Sequence, residues 1–304
     1  MSLERIVGRV DMRPDERASE QTLEIRKVDA IIPVYSERPD ALSATLSACL
    51  KQTYPLSRIF VIDDGSPRPV SLPESFTSSG NIRLLRLEEN QGISAARNAA
   101  ISQSSAAFLA CINVDILPQA DWLATCLDYM AANPRVGACY ARIVPAAQDR
   151  VLSRWRMQFH EQKYGERSGP AAFAPGHAVL FRKDAVDSVG GYDVRRRRIT
   201  EDSDICERIR QKGYETHYLA KSQCVSIQED TLSNLCKKQL ARGGWSSPQD
   251  YALGRLVRAE SKWLSVRIVR NVVNCRWRFI AVDFAVWAGS LFIASRSAIE
   301  TRDP

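Results

Sequence analysis

The sequence predicts an α/β protein with a mostly parallel central sheet covered by helices on both faces, followed by a helical C-terminal segment. From residue 28 onward, apolar runs typical of buried strands alternate with helical segments, which is the pattern of a parallel sheet. Polar clusters follow four successive predicted strands. Residues 252–297 then change to a helical pattern that is first basic and then apolar.

Three parts are expected along the 304-residue chain. Residues 1–27 are polar and charged without a sustained period and are expected to form an extension. Residues 28–250 are expected to form one α/β domain, and residues 251–304 to form basic amphipathic and hydrophobic helices. A hydrophobic content of 45% and a charged content of 25% are those of an ordinary globular protein.

The first half of the domain alternates strands with helices. Its strands are continuous apolar runs, as expected for strands buried on both faces, at 28–35, 58–66, 81–87 and 107–114. Its helices carry apolar side chains at helical spacing, such as Leu42 and Leu46, and are expected at 42–50, 92–103 and 118–132.

The fourth strand, "FLACINVDILP", ends on a carboxylate. Asn113 and Asp115 lie two residues apart and therefore on one face of a strand. Pro118 is expected to block further strand pairing. The two polar residues either cap a loop or form part of a ligand site at the carboxyl end of the sheet.

The second half of the domain is less regular. Strands are expected at 136–144, 177–181 and 214–220. A helix is expected over about 203–213, with Ile205 and Ile209 one turn apart and Gly213 at its end, and another over 231–243.

The eight cysteines form no CxxC pair and no metal-ligand spacing. Most lie among apolar neighbours, where a cysteine behaves as a small hydrophobic residue. With no signal peptide recognised at residue 1, a reducing cytoplasm is the expected compartment.

Most of the net charge of +7 is concentrated near the C-terminus, because residues 255–278 contain seven basic residues and one acid. The stretch 279–295 that follows is apolar with one charge, Asp283, and is slightly short for a membrane span. Trp263, Trp277 and Trp287 with flanking arginines are typical of a helix at a membrane interface. A hairpin packed on the domain and a true span are the alternatives.

Four polar clusters follow predicted strands: "PVYSE", "DDGS", "NQG" and "NVD". In open α/β sheets, ligands bind outside the carboxyl ends of the strands, although these residue types also form ordinary turns. Asp63 and Asp64 could accept hydrogen bonds from a base or ribose, and Gly92 lets the backbone approach a ligand. Arg97, in the following helix, either reaches the same ligand or is solvated.

Two further clusters could carry chemistry. "TEDSD" (200–204) places three carboxylates in the first turn of a helix, where the dipole favours acids and mutual repulsion raises a pKa. The cluster is either a helix cap or a general base whose pKa is adjusted by the neighbouring carboxylates. "QLARGGW" (239–245) could place a guanidinium on phosphate and an indole against a sugar, or form a helix C-cap.

Taken together, these motifs resemble the family 2 glycosyltransferases, inverting enzymes that use nucleotide-diphosphate sugars. The matching segments occur in the family's order over about 30–245: "AIIPVYSE", "FVIDDGS", "NQGISAARNAAI", "NVD", "VGGYD", "TEDSDICERIRQKGY" and "QLARGGW". The resemblance implies a GT-A fold, which is Rossmann-like. It also implies a UDP-, GDP- or dTDP-linked sugar donor and a glycan or lipid-linked acceptor.

The resemblance also implies residue roles. The donor nucleotide would be bound by Pro33, Tyr35, Glu37, Asp63, Asp64, Gly92, Arg97 and Asn113. Asp115 matches the final acid of the family's DxD motif, which holds Mg²⁺ or Mn²⁺, and Asp202 matches the catalytic base, with Glu201 beside it. The diphosphate and acceptor would be contacted by Gln239, Arg242 and Trp245.

Three departures from the family's pattern stand out. Asn113 replaces the first acid of DxD, so we expect a metal requirement with weak affinity. Segment 221–230 lacks the histidine that many relatives use as a further metal ligand. Two glycines separate Arg242 from Trp245.

The expected protein is therefore a glycosyltransferase of polysaccharide biosynthesis, peripheral on the inner face of the cell membrane, without a nucleic-acid partner. The alternative is a catalytically inactive sugar-nucleotide-binding or scaffold protein of glycan assembly, which Asn113 makes conceivable. A sugar nucleotidyltransferase is excluded because no glycine-rich, lysine-containing phosphate loop follows the first strand.

Overall fold

The computed structural model describes residues 27–36, 38–157, 167–195, 201–242 and 253–300. The strands are β1 (Val28–Val34), β2 (Arg58–Asp63), β3 (Ile82–Arg86), β4 (Phe108–Ile112), β5 (Ile116–Pro118), β6 (Val136–Pro145), β7 (Gly169–Pro170), β8 (Ala178–Arg182) and β9 (Glu215–Ser226). The helices are α1 (Pro39–Leu50), α2 (Glu74–Thr77), α3 (Ile93–Ile101), α4 (Trp122–Ala132), α5 (Val151–Arg156), α6 (Lys183–Asp187), α7 (Glu201–Gln211), α8 (Leu232–Arg242), α9 (Leu253–Val273) and α10 (Trp277–Glu300).

All nine strands join one sheet, in the order β3-β2-β1-β4-β8-β6-β9-β5, with β7 also paired to β9. The strands β3, β2, β1 and β4 are parallel to one another. The second half is mixed, because β8 runs antiparallel to both β4 and β6, while β6 and β9 are parallel. The predicted α/β class is confirmed, but the sheet is mixed and not mostly parallel, with four parallel and four antiparallel strand pairs. Its parallel part is the half built from the regular strand–helix alternation.

The prediction that Pro118 ends strand pairing is wrong. Residues Ile116–Pro118 form β5, which pairs antiparallel with β9 from Ile116↔Ser226 to Pro118↔Cys224. The strand lies at the edge of the sheet, where proline is tolerated because its nitrogen needs no ladder partner. The chain therefore leaves β4 at Asn113, passes Asp115 and immediately re-enters the sheet at its far edge.

Both faces of the parallel half are buried. Alternate residues of β1 belong to different apolar clusters, with Ile32 on one face and Ile31 on the other. Helix α1 covers the first face with Leu46, and α3 covers the second with Ala96 and Ala100. This two-sided burial explains why the strands are continuously apolar.

Helices α9 and α10 form an antiparallel hairpin that packs on α5 and α8. Trp155 of α5 lies in an apolar cluster with Leu235 of α8 and Val286 of α10. The Trp155 indole N–H donates to Asp283 Oδ1 at 2.8 Å, and the Asn271 amide donates to Asp283 Oδ2 at 2.7 Å. Asp283, the single charge of the apolar stretch 279–295, is therefore buried against the domain.

Helix α10 also contains Trp277–Ser295, a 19-residue stretch that is long and apolar enough to cross a membrane by length and composition, with mean hydropathy 1.4. It is the one such helix among the described residues, and 33% of it is buried in the protein. The expected boundary between the domain and the C-terminal helices, at 250/251, lies outside the described residues, as does nearly all of the N-terminal extension.

The cysteine prediction is confirmed for seven of the eight side chains. All eight are free thiols, and only Cys275, in the turn between α9 and α10, is exposed. Burial raises the pKa of the Cys49 thiol to about 12, which keeps that side chain protonated and inert.

Candidate active site

The loop after β2 is shaped by Asp63. Its buried carboxylate accepts the backbone N–H groups of Ser66 at 2.9 Å and Val70 at 3.0 Å and is paired with Arg86. Burial works to raise the pKa of Asp63, but hydrogen bonds from Ser66, Val70 and Arg86 outweigh it and lower that pKa. The structure thus places Asp63 inside the loop, where its oxygens bind protein groups.

Asp64 joins this loop to the start of α3. Its two carboxylate oxygens accept the N–H groups of Gln91 at 2.8 Å and Gly92 at 2.9 Å. Gly65 adopts φ +65°, and a Cβ there would lie under 3.0 Å from the backbone of Glu89. The motifs "DDGS" and "NQG" are therefore in direct contact, and only glycine fits between them.

A cavity of about 520 Å³ opens at the carboxyl ends of β1 and β2. It is lined by Val34 and Ser36, by α1 and by the 66–71 loop. Pro33 is half-buried at the end of β1, and Tyr35 beside the cavity is 46% exposed. Glu37, predicted to line the same pocket, lies outside the described residues.

Arg97 is the centre of the site and is almost fully buried, with 1% of its side chain exposed. Its guanidinium donates to Asp202 Oδ1 at 2.9 Å, to the Gly176 carbonyl at 3.2 Å and to Asn113 Oδ1 at 3.4 Å. It also lies 5.0 Å from the ring centre of Tyr192. The residue holds together β4, the loop before β8 and the first turn of α7, so the solvated alternative is wrong.

The neighbouring Asn98 holds the "GGYD" loop. Its amide donates to the Tyr192 carbonyl at 2.8 Å and accepts the Tyr192 N–H at 2.9 Å. Successive residues of α3 therefore anchor two different loops, the one that carries Gly176 and the one that carries Tyr192.

Asp202, at the start of α7, is held from two sides. Its Oδ1 accepts from Arg97, and its Oδ2 accepts the Gly176 N–H at 2.7 Å. Its side chain remains 19% exposed, whereas Glu201 beside it is 9% exposed. Burial and the charge of Asp202 raise the pKa of Glu201, against the opposing effect of Arg97.

Asn113 is likewise bound within the protein. Its Oδ1 faces Arg97, so its amide nitrogen faces His177 Nδ1, 3.1 Å away. Because an amide nitrogen only donates, His177 Nδ1 accepts, and the proton of the neutral ring lies on Nε2. Asn113 thus connects His177 to Arg97.

Asp115 differs from these residues because, within the described part of the chain, its carboxylate makes no hydrogen bond or ion pair. It is half-buried between β4 and β5, and its carbonyl accepts the Ile227 N–H at 2.9 Å. No cluster of three His, Cys, Asp or Glu side chains suited to a metal occurs among the described residues. One free carboxylate fits Mg²⁺ or Mn²⁺ only when a substrate supplies further oxygens.

The "QLARGGW" element is only partly described. Gln239 is buried, with its amide donating to Glu260 Oε2 at 3.0 Å and accepting from Arg267 at 2.8 Å. The side chain of Gln239 therefore binds residues of α9. Arg242 ends α8, but its side chain and the whole of Trp245 lie outside the described residues.

Sequence reasoning missed Gly176 and His177, which lie in a loop without a recognisable motif. The one available signal was their position directly before the apolar strand β8, which begins at the edge of the sheet where β4 ends. The four arginines 195–198 fall mostly outside the described residues, and Arg195 is paired with Asp193.

The family model "Glycosyl transferase family 2" matches residues 29–190, which is more than half of the chain and includes Asp64, Arg97 and Asp115. The chain belongs to glycosyl transferase family 2.

Curated relatives carry glycosyltransferase names. The chain is 25% identical over 198 residues to the pre-mycofactocin glycosyltransferase of Mycobacterium tuberculosis (63% of this chain, 42% of the relative). It is 23% identical over 278 residues to the poly-beta-1,6-N-acetyl-D-glucosamine synthase of Staphylococcus epidermidis (86% and 65%). It is 28% identical over 175 residues to the glucosyl-dolichyl phosphate glucuronosyltransferase of Haloferax volcanii (55% and 56%). The chain thus spans about half the length of these relatives.

Solved structures show the same fold. The mannosyltransferase PcManGT from Pyrobaculum calidifontis, in complex with GDP-Man and Mn²⁺, aligns with a TM-score of 0.55 at 16% identity, covering 91% of this chain and 88% of that one. GalNAc-T7 with UDP, GalNAc and Mn²⁺ aligns with a TM-score of 0.56 at 17% identity, covering 69% and 46%. The predicted GT-A fold is confirmed for this family 2 member.

Proposed function

We propose that this family 2 protein is an inverting glycosyltransferase that moves a sugar from a nucleotide-diphosphate sugar to a hydroxyl of a glycan or lipid-linked acceptor. The observation that carries the proposal is the environment of Asp202. Its carboxylate is held by Arg97 and Gly176 yet keeps 19% of its side chain exposed, whereas Arg97 and Glu201 are nearly closed to solvent. Asp202 is therefore the carboxylate at this junction that a substrate can reach.

Asp202 has the hydrogen-bonding capacity that a general base needs. Each of its oxygens accepts one protein hydrogen bond, and an ionised carboxylate has about four lone-pair sites. A remaining site accepts the hydrogen of the acceptor hydroxyl. The proton passes to Asp202 as the hydroxyl oxygen attacks the anomeric carbon opposite the diphosphate, and this single displacement inverts the configuration.

The raised pKa of Glu201 supports this assignment. A buried carboxyl that keeps its proton more readily adds less negative charge beside Asp202. Arg97 can then pair with the carboxylate of Asp202 alone, which holds the proposed base in place.

The donor is assigned to the cavity at the ends of β1 and β2. The exposed ring of Tyr35 offers a surface on which a base can stack, and Asp64 fixes the loop that forms the cavity's edge. A divalent cation at Asp115, if bound together with the donor, would neutralise charge on the departing diphosphate. The Mn²⁺ in two solved neighbours with nucleotide ligands supports this role.

The decisive experiment measures nucleoside diphosphate release from a panel of nucleotide sugars. We expect turnover with one donor class, and we expect Asp202→Asn to reduce it about 10²–10⁴-fold because proton transfer is lost. Donor affinity should change little. The matched control is Asp187→Asn, an exposed carboxylate of α6, which should retain activity. Appreciable turnover by Asp202→Asn would remove that residue from the role.

The alternative is an inactive sugar-nucleotide-binding protein. It is favoured by Asn113, whose side chain contacts Arg97 and His177 of the protein itself. Such a protein would bind a donor in calorimetry and release no diphosphate with any acceptor extract. Release above the Asp202→Asn background rejects this alternative.

We also propose that the protein is cytoplasmic and lies on the inner face of the membrane through α9 and α10. The inner side of helix α9 carries the buried polar residues Glu260, Arg267 and Asn271 beside the buried Leu256 and Leu264. Its exposed side carries an apolar stripe, formed by Trp263, Val266, Val269 and Val273, among the exposed basic residues Arg255, Arg258, Lys262 and Arg270. Exposed apolar side chains flanked by basic ones are typical of a helix at a membrane interface, where the apolar groups contact lipid and the cations contact anionic headgroups.

A vesicle-sedimentation experiment tests this attachment. Replacing Val269 and Val273 by Ser removes apolar area from the stripe and should reduce the bound fraction. Unchanged binding would contradict attachment through α9. The name of one relative, a glucosyl-dolichyl phosphate glucuronosyltransferase, supports an acceptor presented at a membrane.

A further inference from the structure

A second cavity of about 520 Å³ lies between the domain and the C-terminal hairpin, away from the cavity at β1 and β2. Its walls come from the end of β6 and the following loop, from α5, and from both sides of the turn between α9 and α10. The lining residues include four arginines: Arg142, Arg154, Arg270 and Arg276.

The charged residues among the described lining of this cavity are all basic. The described residues that line it include no carboxylate. Within the described part of the chain, Arg154 and Arg276 have no carboxylate partner, and both side chains are exposed. Guanidinium groups that line one space attract an anion, and the planar fork of an arginine matches phosphate oxygens in geometry.

Apart from Gln148, the remaining lining is apolar, with Val144, Met157 and Phe279 on the walls. The residues beside the turn are apolar and open: Val273 is 75% exposed and Trp277 is 63% exposed. A phosphate attached to an apolar chain would satisfy both halves of this environment, whereas a free phosphate would use only the arginines.

We propose that this cavity binds the phosphate group of a membrane lipid, a phosphate monoester or diester carried on an apolar chain. The proposal rests on the membrane attachment proposed above and adds a specific headgroup site to it. The phosphate is held by the guanidinium groups while the apolar stripe of α9 contacts the lipid surface.

The site would bring the membrane close to the catalytic edge. Pro145 lines the cavity and pairs with Ser226 of β9, which pairs in turn with Ile116, the neighbour of Asp115. Two strand spacings, roughly 10 Å, therefore separate the cavity wall from the strand beside Asp115. A lipid-borne acceptor in the same membrane would lie next to the base and the donor.

The test compares two double variants of the full chain on three vesicle types. Arg154→Gln/Arg276→Gln removes two cavity cations, and Arg255→Gln/Arg258→Gln removes two exposed cations elsewhere on α9. The vesicles are phosphatidylcholine alone, phosphatidylcholine with phosphatidic acid, and phosphatidylcholine with a charge-matched amount of oleic acid. Circular dichroism and melting curves show whether each variant is folded.

We expect the unaltered chain to bind phosphatidic acid vesicles more tightly than oleic acid vesicles. The cavity variant should lose roughly tenfold or more of that affinity, because charge-assisted hydrogen bonds to phosphate are removed. The control variant should keep most of it, since surface cations contribute only screened attraction.

Three results would overturn the proposal. Equal losses in the two variants would mean general electrostatic attraction, and equal binding to phosphatidic and oleic acid vesicles would mean that phosphate is not recognised. Binding of inorganic phosphate that depends on the cavity arginines, with vesicle binding independent of them, would assign the cavity to a soluble ligand. Diphosphate release from a soluble donor is measured in parallel, so that a failed cavity and a failed glycosyltransferase assignment are told apart.

Discussion

At the scale of single residues, the site depends on a close approach at Gly176. Its N–H holds Asp202 and its carbonyl holds Arg97, so the backbone itself lies against the ion pair. A Cβ at this position would lie under 3.0 Å from both Arg97 Nη2 and Asp202 Oδ1. The position therefore requires glycine for space, in contrast to glycines that a turn requires for their backbone angles.

We predict that Gly176→Ala lowers both stability and activity. The added methyl group displaces a buried ion pair, which should cost about 1–3 kcal/mol of unfolding free energy. Displacement of the base should reduce the transfer rate about 10²-fold. Chemical denaturation and diphosphate release measure the two effects.

The control is Gly254→Ala, the same change in α9 at a position with open space. It should stabilise the helix by up to about 1 kcal/mol. Equal behaviour of the two variants would contradict the close contact at Gly176.

At the scale of elements, the first turn of α7 carries a conflict between burial and charge. Burial and Asp202 raise the pKa of Glu201 above its ordinary value of 4.5. An acid whose pKa is raised by folding binds its proton more tightly in the folded chain, so ionising it costs stability. The stabilising effect of its proton is present below pH 4.5 and is lost as pH rises through the folded pKa.

We predict that Glu201→Gln removes the loss of folding stability that accompanies ionisation of Glu201. The stability of the variant relative to the unaltered chain should grow as pH rises from 4.5 toward neutrality and then level off. Urea unfolding across that pH range measures the difference. A constant or shrinking difference would show that Arg97 stabilises ionised Glu201 more than burial opposes it.

The C-terminal hairpin is held to the domain by a buried polar contact. We predict that Asp283→Ala destabilises the protein by about 3–5 kcal/mol, because Trp155 and Asn271 lose their buried acceptor and Arg267 loses a nearby charge. Asp283→Asn keeps one acceptor oxygen and should cost less. Thermal melting of both variants checks this order, and a native melting temperature for Asp283→Ala would show that α10 is not packed in this way.

The elements show where sequence patterns suffice. The parallel half was predictable because each of its strands is followed by a helix with apolar spacing. The strand β5 was not, since three residues with a proline carry no strand period. From the sequence, Asp283 was interpreted only as a charge that is unfavourable in a membrane. Its role in packing could not be predicted, because its partner Trp155 lies 128 residues earlier in the chain.

The same limit applies to the site. Asp64 and Gly92 could be paired from their motifs, since strand ends meet at one edge. Gln239 could not be directed toward α9 by sequence, because its partners Glu260 and Arg267 lie beyond a segment without any pattern. Arg97 likewise could not be assigned to Asp202 from spacing alone.

At the scale of the whole molecule, a prediction about metal dependence follows from the small number of free carboxylates at the site. Asp115 is the single unengaged carboxylate at the end of β4 in the described structure. We predict that excess chelator reduces transfer at least about tenfold, and that Mg²⁺ or Mn²⁺ restores it only at high concentration, because the donor must supply further oxygens. Full activity in excess chelator would reject the requirement.

The position of Arg97 also has a consequence for how the protein is made. Its ion pair with Asp202 joins residues 105 positions apart, and its contact with Gly176 joins residues 79 apart. During synthesis the N-terminal half leaves the ribosome first, so this cation has no counter-charge until α7 has emerged. Burying it earlier would be costly, so we expect Arg97 to become buried only after Asp202 has emerged. Assembly of this site should then coincide with completion of folding.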